Sequence, residues 1–202
     1  MNLPATIHSL DEEDYLMGTV KEEILIAKTE IEKRVQEMAE MISRDYEGRD
    51  LIVIGILKGA FIFMADLIRC LRIPCMIDFV RLASYGTGTI SSGKIMITKD
   101  IEIPIQNKDV LIVEDIVDTG LTLSFLVERF TERNPHSLKT CVFLDKKERR
   151  KVPFAAEYVG FDIPDRFVVG YGLDFNEMYR FLPDICEIKD LQEIGEQNGR
   201  SM

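Results

Sequence analysis

Two periods govern the apolar positions of this chain. Unalternating runs occur at Leu51-Ile52-Val53-Ile54-Gly55-Ile56, from Cys75 to Leu82 with breaks at Asp78 and Arg81, at Val110-Leu111-Ile112-Val113 and from Ser137 to Leu144. Such runs predict strands buried on both faces, as in a parallel sheet covered by helices. After the first and third runs the spacing becomes helical, through Phe61, Met64, Leu67 and Ile68 and then through Leu123, Leu126, Val127 and Phe130. Ile24, Ala27, Ile31, Val35, Met38 and Ile42 predict one face of a long amphipathic helix, opened by a capping box at Thr19-Val20-Lys21-Glu22 and ending near Gly48. Lys94 to Thr98 reads as a further strand. The alternation of the two periods gives an α/β chain, and 202 residues suit one domain.

The third run carries the chemistry. It stops at adjacent carboxylates, Glu114 and Asp115, and a short loop follows with Asp118, Thr119, Gly120, Leu121 and Thr122. Open α/β sheets bind ligands beyond the carboxyl ends of their strands. Glycine, two hydroxyls and the free amides of a helix's first turn make a phosphate cradle. Bare phosphate would be repelled by the carboxylates, so a ligand with hydroxyls beside its phosphate, or a shared Mg²⁺, fits better. The plain alternative is a solvated acidic turn with Asp118 as helix N-cap.

Other loops repeat the theme. Lys58-Gly59 stands between a buried strand and a helix, where a lysine alone would be an ordinary surface residue. Residues 83–93 hold three glycines and five Ser/Thr residues, which suits either a hairpin connection or a lid. Its Gly-x-Gly precedes no helix and so is no dinucleotide fingerprint. Lys146 opens a charge run, Asp145 to Lys151, whose usual reading is a solvated loop.

A net charge of −10 and a pI near 4.8 disfavour broad binding to nucleic acid or anionic membranes, and leave small phosphorylated ligands open. Four cysteines without C-x-x-C spacing and two histidines give no zinc site. Leu51 to Ile68 is apolar enough to be tested as a membrane span, but Lys58, Asp66 and the glycines interrupt it. No signal peptide is evident, and a reducing cytoplasm is expected.

The ordered blocks Leu57-Lys58-Gly59, Arg81 to Gly86, Val113 to Thr122, Leu144-Asp145-Lys146 and Val159 to Arg180 resemble the type I phosphoribosyltransferases, and among them the bacterial hypoxanthine-guanine branch. The resemblance spans roughly residues 50–185. It implies a mostly parallel central sheet flanked by helices, with a flexible lid loop and a small hood. The core would span about 20–170, and the hood would come from the N-terminal segment and about 171–190.

The implied reaction moves ribose 5-phosphate from phosphoribosyl pyrophosphate (PRPP) to N9 of hypoxanthine or guanine. It gives IMP or GMP and pyrophosphate, with Mg²⁺. By resemblance, Asp118 would be the general base. Glu114 and Asp115 would hold the ribose hydroxyls and metal, and Asp118, Thr119, Gly120, Leu121 and Thr122 the 5-phosphate. Lys58, Gly59, Ser84, Tyr85 and Arg180 would take pyrophosphate. Lys146, Phe167, Val168 and Asp174 would form the purine side, with Asp174 also on Mg²⁺. A cis Leu57–Lys58 peptide and a homodimer or homotetramer are further family features. Leu121 and Gly172 depart from some relatives, which have lysine and alanine there. Without the resemblance, Phe167 reads as core and Arg180 as a surface residue. Two other functions stay open: an RNA-binding or nucleotide-sensing regulator on the same fold, and a transferase for xanthine.

Overall fold

The computed structural model describes residues 22–85 and 94–189. In chain order these form β1 (Glu22–Ile26), α1 (Lys28–Asp45), β2 (Leu51–Leu57), α2 (Phe61–Cys70), β3 (Cys75–Tyr85), β4 (Lys94–Lys99), β5 (Asp109–Val117), α3 (Leu121–Thr131), β6 (Ser137–Asp145), β7 (Tyr158–Asp162), β8 (Val168–Val169) and β9 (Ile185–Ile188). Six strands make one sheet in the order β4-β3-β2-β5-β6-β7, parallel except for the antiparallel edge strand β4.

The apolar runs are continuous because both faces of the sheet are covered. Leu51, Val53, Leu111, Val113 and Phe143 pack under α1 and α2 with Ile31, Val35, Met38, Phe63 and Leu67. Their alternates Ile52, Ile54, Val110, Ile112 and Val142 pack on the opposite face with Leu123, Leu126 and Phe130 of α3. A polar residue at any of these positions would be buried without partners, whichever way it faced. The apolar stretch from Leu51 to Ile68 divides into β2, a turn and α2, and no helix among the described residues is long and apolar enough to cross a membrane.

At the amino end the structure corrects the expectation. Residues 22–26 are not the first turn of a helix but a strand, paired antiparallel with β9. Ile24 is 59% exposed and is not on the helix face. A partner strand for the β-branched Ile24 and Ile26 outweighs a helical spacing that rested there on two residues. α1 begins after Ala27, whose N–H donates to the Glu30 carboxylate at 3.1 Å. It ends at Asp45, and Gly48 follows in the left-handed region at φ 72°.

β1, β9 and β8 form a separate three-stranded antiparallel sheet that joins the two ends of the described chain. Of the candidate lid at 83–93, residues 83–85 continue β3 rather than the loop, and residues 86–93, the N-terminal segment to residue 21 and the tail from 190 lie outside the described residues.

Candidate active site

Chain order determines where a ligand can bind. From β2 the sheet grows one way to β3 and the other way to β5 and β6, so the gap between the carboxyl ends of β2 and β5 is the switch point of the fold. The register places Gly55 opposite Val113, and Val117 opposite Asp145. Three loops therefore leave neighbouring strand ends: Lys58-Gly59 after β2, Asp118-Thr119-Gly120 after β5 and Lys146 after β6.

β5 runs further than its apolar stretch suggests and carries both acids within it. Glu114 is 8% exposed and Asp115 lies half-buried beside it. Burial, and then the neighbouring Asp115 charge, push the Glu114 carboxyl well above its usual range. Burial raises Asp115 too. Among the described residues, neither carboxylate has a lysine, arginine or histidine within ion-pair distance, and no three ligating side chains form a metal site. Two adjacent hard-oxygen groups with no cation in ion-pair contact, and only the more distant charge of Arg180 acting on Asp115, suit a divalent cation whose remaining ligands come from substrate and water, so these residues fit Mg²⁺.

The loop after β5 is held from behind. Lys146 N–H donates to Val117 O at 2.9 Å, the Arg150 guanidinium to Asp118 O at 2.9 Å and Lys151 N–H to Thr119 O at 2.9 Å. With three consecutive carbonyls tied back, the loop presents amides. Gly120 sits at φ 81° as the residue before α3, in a conformation L side chains avoid. The helix carries no side-chain cap, so the Asp118 N-cap alternative fails and the first-turn N–H groups stay available to an anion. Leu121 N–H makes only a long 3.4 Å bond to Thr119 Oγ1, and Leu121's own side chain is 39% exposed. Glu114, Asp118, Thr119, Gly120 and Thr122 line a cavity of about 150 Å³.

Asp118 is half-buried. Arg149 Nε lies 3.0 Å from its Oδ1, yet that oxygen accepts no aligned hydrogen bond. Arg149 also meets Asp165 at 3.4 Å. Lys146 is 7% exposed, and burial lowers its pKa against the opposing pull of Asp118 and Asp165. Phe167 is 38% exposed and meets Phe175 edge-on at 5.4 Å, while Val168 is buried in β8.

The Lys58 loop packs between the acids and the segment after β8. The Leu57–Lys58 peptide is cis. A Cβ on Gly59 would stand 1.8 Å from Asp115 Oδ2, and one on Gly172 would stand 2.3 Å from Gly59 O. Lys58 Nζ pairs with Glu177 at 2.8 Å, and Arg180 Nη2 with Asp174 at 2.7 Å and Glu177 at 3.2 Å. Ser84 and Tyr85 close β3, and their side chains lie outside the described set.

The sequence reading missed Arg149, Arg150 and Glu177. The run from Asp145 to Lys151 is only partly solvated: Arg150 pairs with Asp145 while the two side chains are 15% and 4% exposed. An arginine just beyond a strand end could have signalled this, but composition does not say which charge of a run turns inward.

A phosphoribosyl transferase domain matches residues 22–176. A hypoxanthine-guanine phosphoribosyltransferase of Aquifex aeolicus is 47% identical over 171 residues, 84% of this chain and 96% of that protein. One of Dictyostelium discoideum is 48% identical over 172 residues, covering 83% and 96%. The crystal structure of a Bacillus anthracis hypoxanthine-guanine phosphoribosyltransferase superposes with a TM-score of 0.80 at 48% identity, over 85% of this chain and all of that one.

Proposed function

The chain belongs to the phosphoribosyl transferase family, and from that premise we propose that it works in purine salvage. It transfers ribose 5-phosphate from PRPP to N9 of hypoxanthine or guanine, giving IMP or GMP and pyrophosphate. The observation that carries this reading is the loop 118–122, its carbonyls tied back and its amides open, beside a buried Lys146.

We assign the roles from the geometry. The amides of residues 119–122 and the Thr119 and Thr122 hydroxyls bind the 5-phosphate, at a helix terminus that favours anions. Glu114 and Asp115 accept hydrogen bonds from the ribose hydroxyls. Bond cleavage at C1 leaves positive charge on the sugar and negative charge on pyrophosphate. Lys58, the Gly59 amide and Arg180 receive the latter, with Ser84 and Tyr85 from the lid edge.

The incoming purine lies against Phe167, its edge on the Val168 backbone. The Lys146 ammonium donates to O6, which selects 6-oxopurines over adenine. Asp118 takes the N7 proton as N9 attacks. Glu114, Asp115 and Asp174 are the groups that would hold Mg²⁺, which when bound neutralises the departing pyrophosphate.

The six-stranded sheet is the core of the single domain, and the β1-β9-β8 sheet is its hood over the base. Exposed Phe61, Met76, Ile77 and Met96 support a homodimer or homotetramer, and the thiols of Cys70, Cys75 and Cys141 support a cytoplasmic setting.

The test is turnover by the pure protein with PRPP and Mg²⁺ in competition among hypoxanthine, guanine, xanthine, adenine and uracil. Formation of IMP and GMP is expected. No turnover of hypoxanthine or guanine refutes the proposal, and dominant xanthine turnover reassigns the substrate.

A further inference from the structure

Phe175 and Met178 exchange both backbone hydrogen bonds, at 3.2 and 3.0 Å, so Phe175-Asn176-Glu177-Met178 is a two-residue hairpin. Its central residues lie at φ 49° and 65°, the turn in which Asn-Gly is the favoured pair. Asparagine occupies the first place as expected. The second, which calls for glycine, is Glu177. A glutamate there is conformationally costly, and burial does not repay the cost, because its side chain is 64% exposed.

What Glu177 does make are two bonds through one oxygen. Its Oε2 lies 2.8 Å from Lys58 Nζ and 3.2 Å from Arg180 Nη2. Lys58 leaves the end of β2, 119 residues earlier in the chain, and Arg180 follows the hairpin. Asp174 steadies both sides of the arrangement, since its Oδ1 pairs with Arg180 at 2.7 Å and its Oδ2 accepts from Glu177 N–H at 3.0 Å. The Lys58 ammonium, and after it the Arg180 guanidinium, hold the Glu177 carboxyl below its usual range.

We propose that Glu177 is a built-in stand-in for pyrophosphate, a specificity residue whose carboxylate engages Lys58 and Arg180 together until the diphosphate of a ligand displaces it. The inference rests on the reading of Lys58 and Arg180 as pyrophosphate donors. A single carboxylate brings one negative charge to two cations, and a diphosphate brings several. A diphosphate therefore outcompetes Glu177, whereas a weaker anion does not. When pyrophosphate leaves, the carboxylate returns to the same cations, so its presence weakens product retention as well as PRPP binding.

The experiment is calorimetric titration of the full-length chain with magnesium pyrophosphate, and separately with GMP, for wild type, Glu177→Gln and Glu177→Gly. Glycine keeps the turn in its favoured conformation, so this second variant removes the charge without a folding penalty. Both variants are expected to bind pyrophosphate about three- to tenfold more tightly, because each exposed ion pair the ligand must displace is worth a few-fold. GMP, which needs the phosphate loop and the base side only, is expected to bind equally in all three proteins. Unchanged or weaker pyrophosphate binding by both variants, with GMP binding intact, overturns the role of Glu177 alone. Failure of the wild-type protein to bind GMP overturns the proposed function and this inference with it.

Discussion

Adding one methyl group at Gly59 should disable this protein while leaving it folded. The new Cβ would stand 1.8 Å from Asp115 Oδ2 and 2.5 Å from its Cγ. An ordinary carbon–oxygen contact is about 3.3 Å, so the two groups must separate by about 1.5 Å. The loop cannot retreat, because Gly59 O already faces Gly172 so closely that a Cβ there would lie 2.3 Å away. The carboxylate must therefore yield, and Asp115 lies in β5 between Glu114 and Ile116, which pair with Val142 and Leu144 of β6.

A misplacement of about 1 Å in a reacting constellation costs about 10²-fold, so Gly59→Ala should lower kcat/KM for PRPP by at least that factor, or about 2.7 kcal/mol in the transition state. The overpacking itself should cost about 1–3 kcal/mol of stability. Steady-state rates of IMP formation give the first quantity and urea denaturation the second. Gly48→Ala is the control: Gly48 has φ 72° but nothing within 4 Å of a new Cβ, so it should lose a little stability and no activity. A Gly59→Ala protein that keeps kcat/KM within about threefold of wild type would refute the packing argument.

Asp118→Asn should lower kcat by about 10²–10⁴-fold while PRPP affinity, measured by titration, stays within about threefold; unchanged kcat removes Asp118 from the proton transfer. Lys146→Ala should raise KM for hypoxanthine by about 10–100-fold, the loss of a hydrogen bond from a charged donor. An unaltered preference for hypoxanthine over adenine in a competition assay counts against Lys146 as the reader of O6. The raised Glu114 carboxyl makes a pH prediction for the ligand-free protein. Its folded pKa lies above the unfolded value, so its contribution to stability is full below about pH 4.5 and is lost as pH rises through the folded pKa. Glu114→Gln should therefore gain on wild type in Tm as pH increases from about 5 to about 8, and a constant difference over that range would contradict the assignment.

The acids and the phosphate loop were legible because local chemistry defines them: an aliphatic run fixes a strand, and the loop that ends it must lie at the sheet's carboxyl edge. The ends of the elements were less legible. β5 continues through Glu114 and Asp115 to Val117, since pairing with β6 carries a strand past its last apolar residue. Ile24 matched a helical spacing, but β9 supplied it with a partner more than 150 residues on, which no local window contains. The same holds for Arg150 and Glu177. Their partners, the Asp118 carbonyl and the Lys58 ammonium, lie 32 and 119 residues away, and only the fold brings those groups together.

The small antiparallel sheet has a consequence for assembly during synthesis. Its middle strand, β9, is made of residues 185–188 and pairs on one side with β1 and on the other with β8, which follows Phe167 directly. The six-stranded sheet and the loop after β5 are complete once residue 162 has emerged from the ribosome, whereas the β1-β9-β8 sheet must wait for residue 188. A nascent chain stopped near residue 165 would therefore own the loop after β5 and Lys146, but neither Phe167 nor Val168, the stacking side proposed for the base.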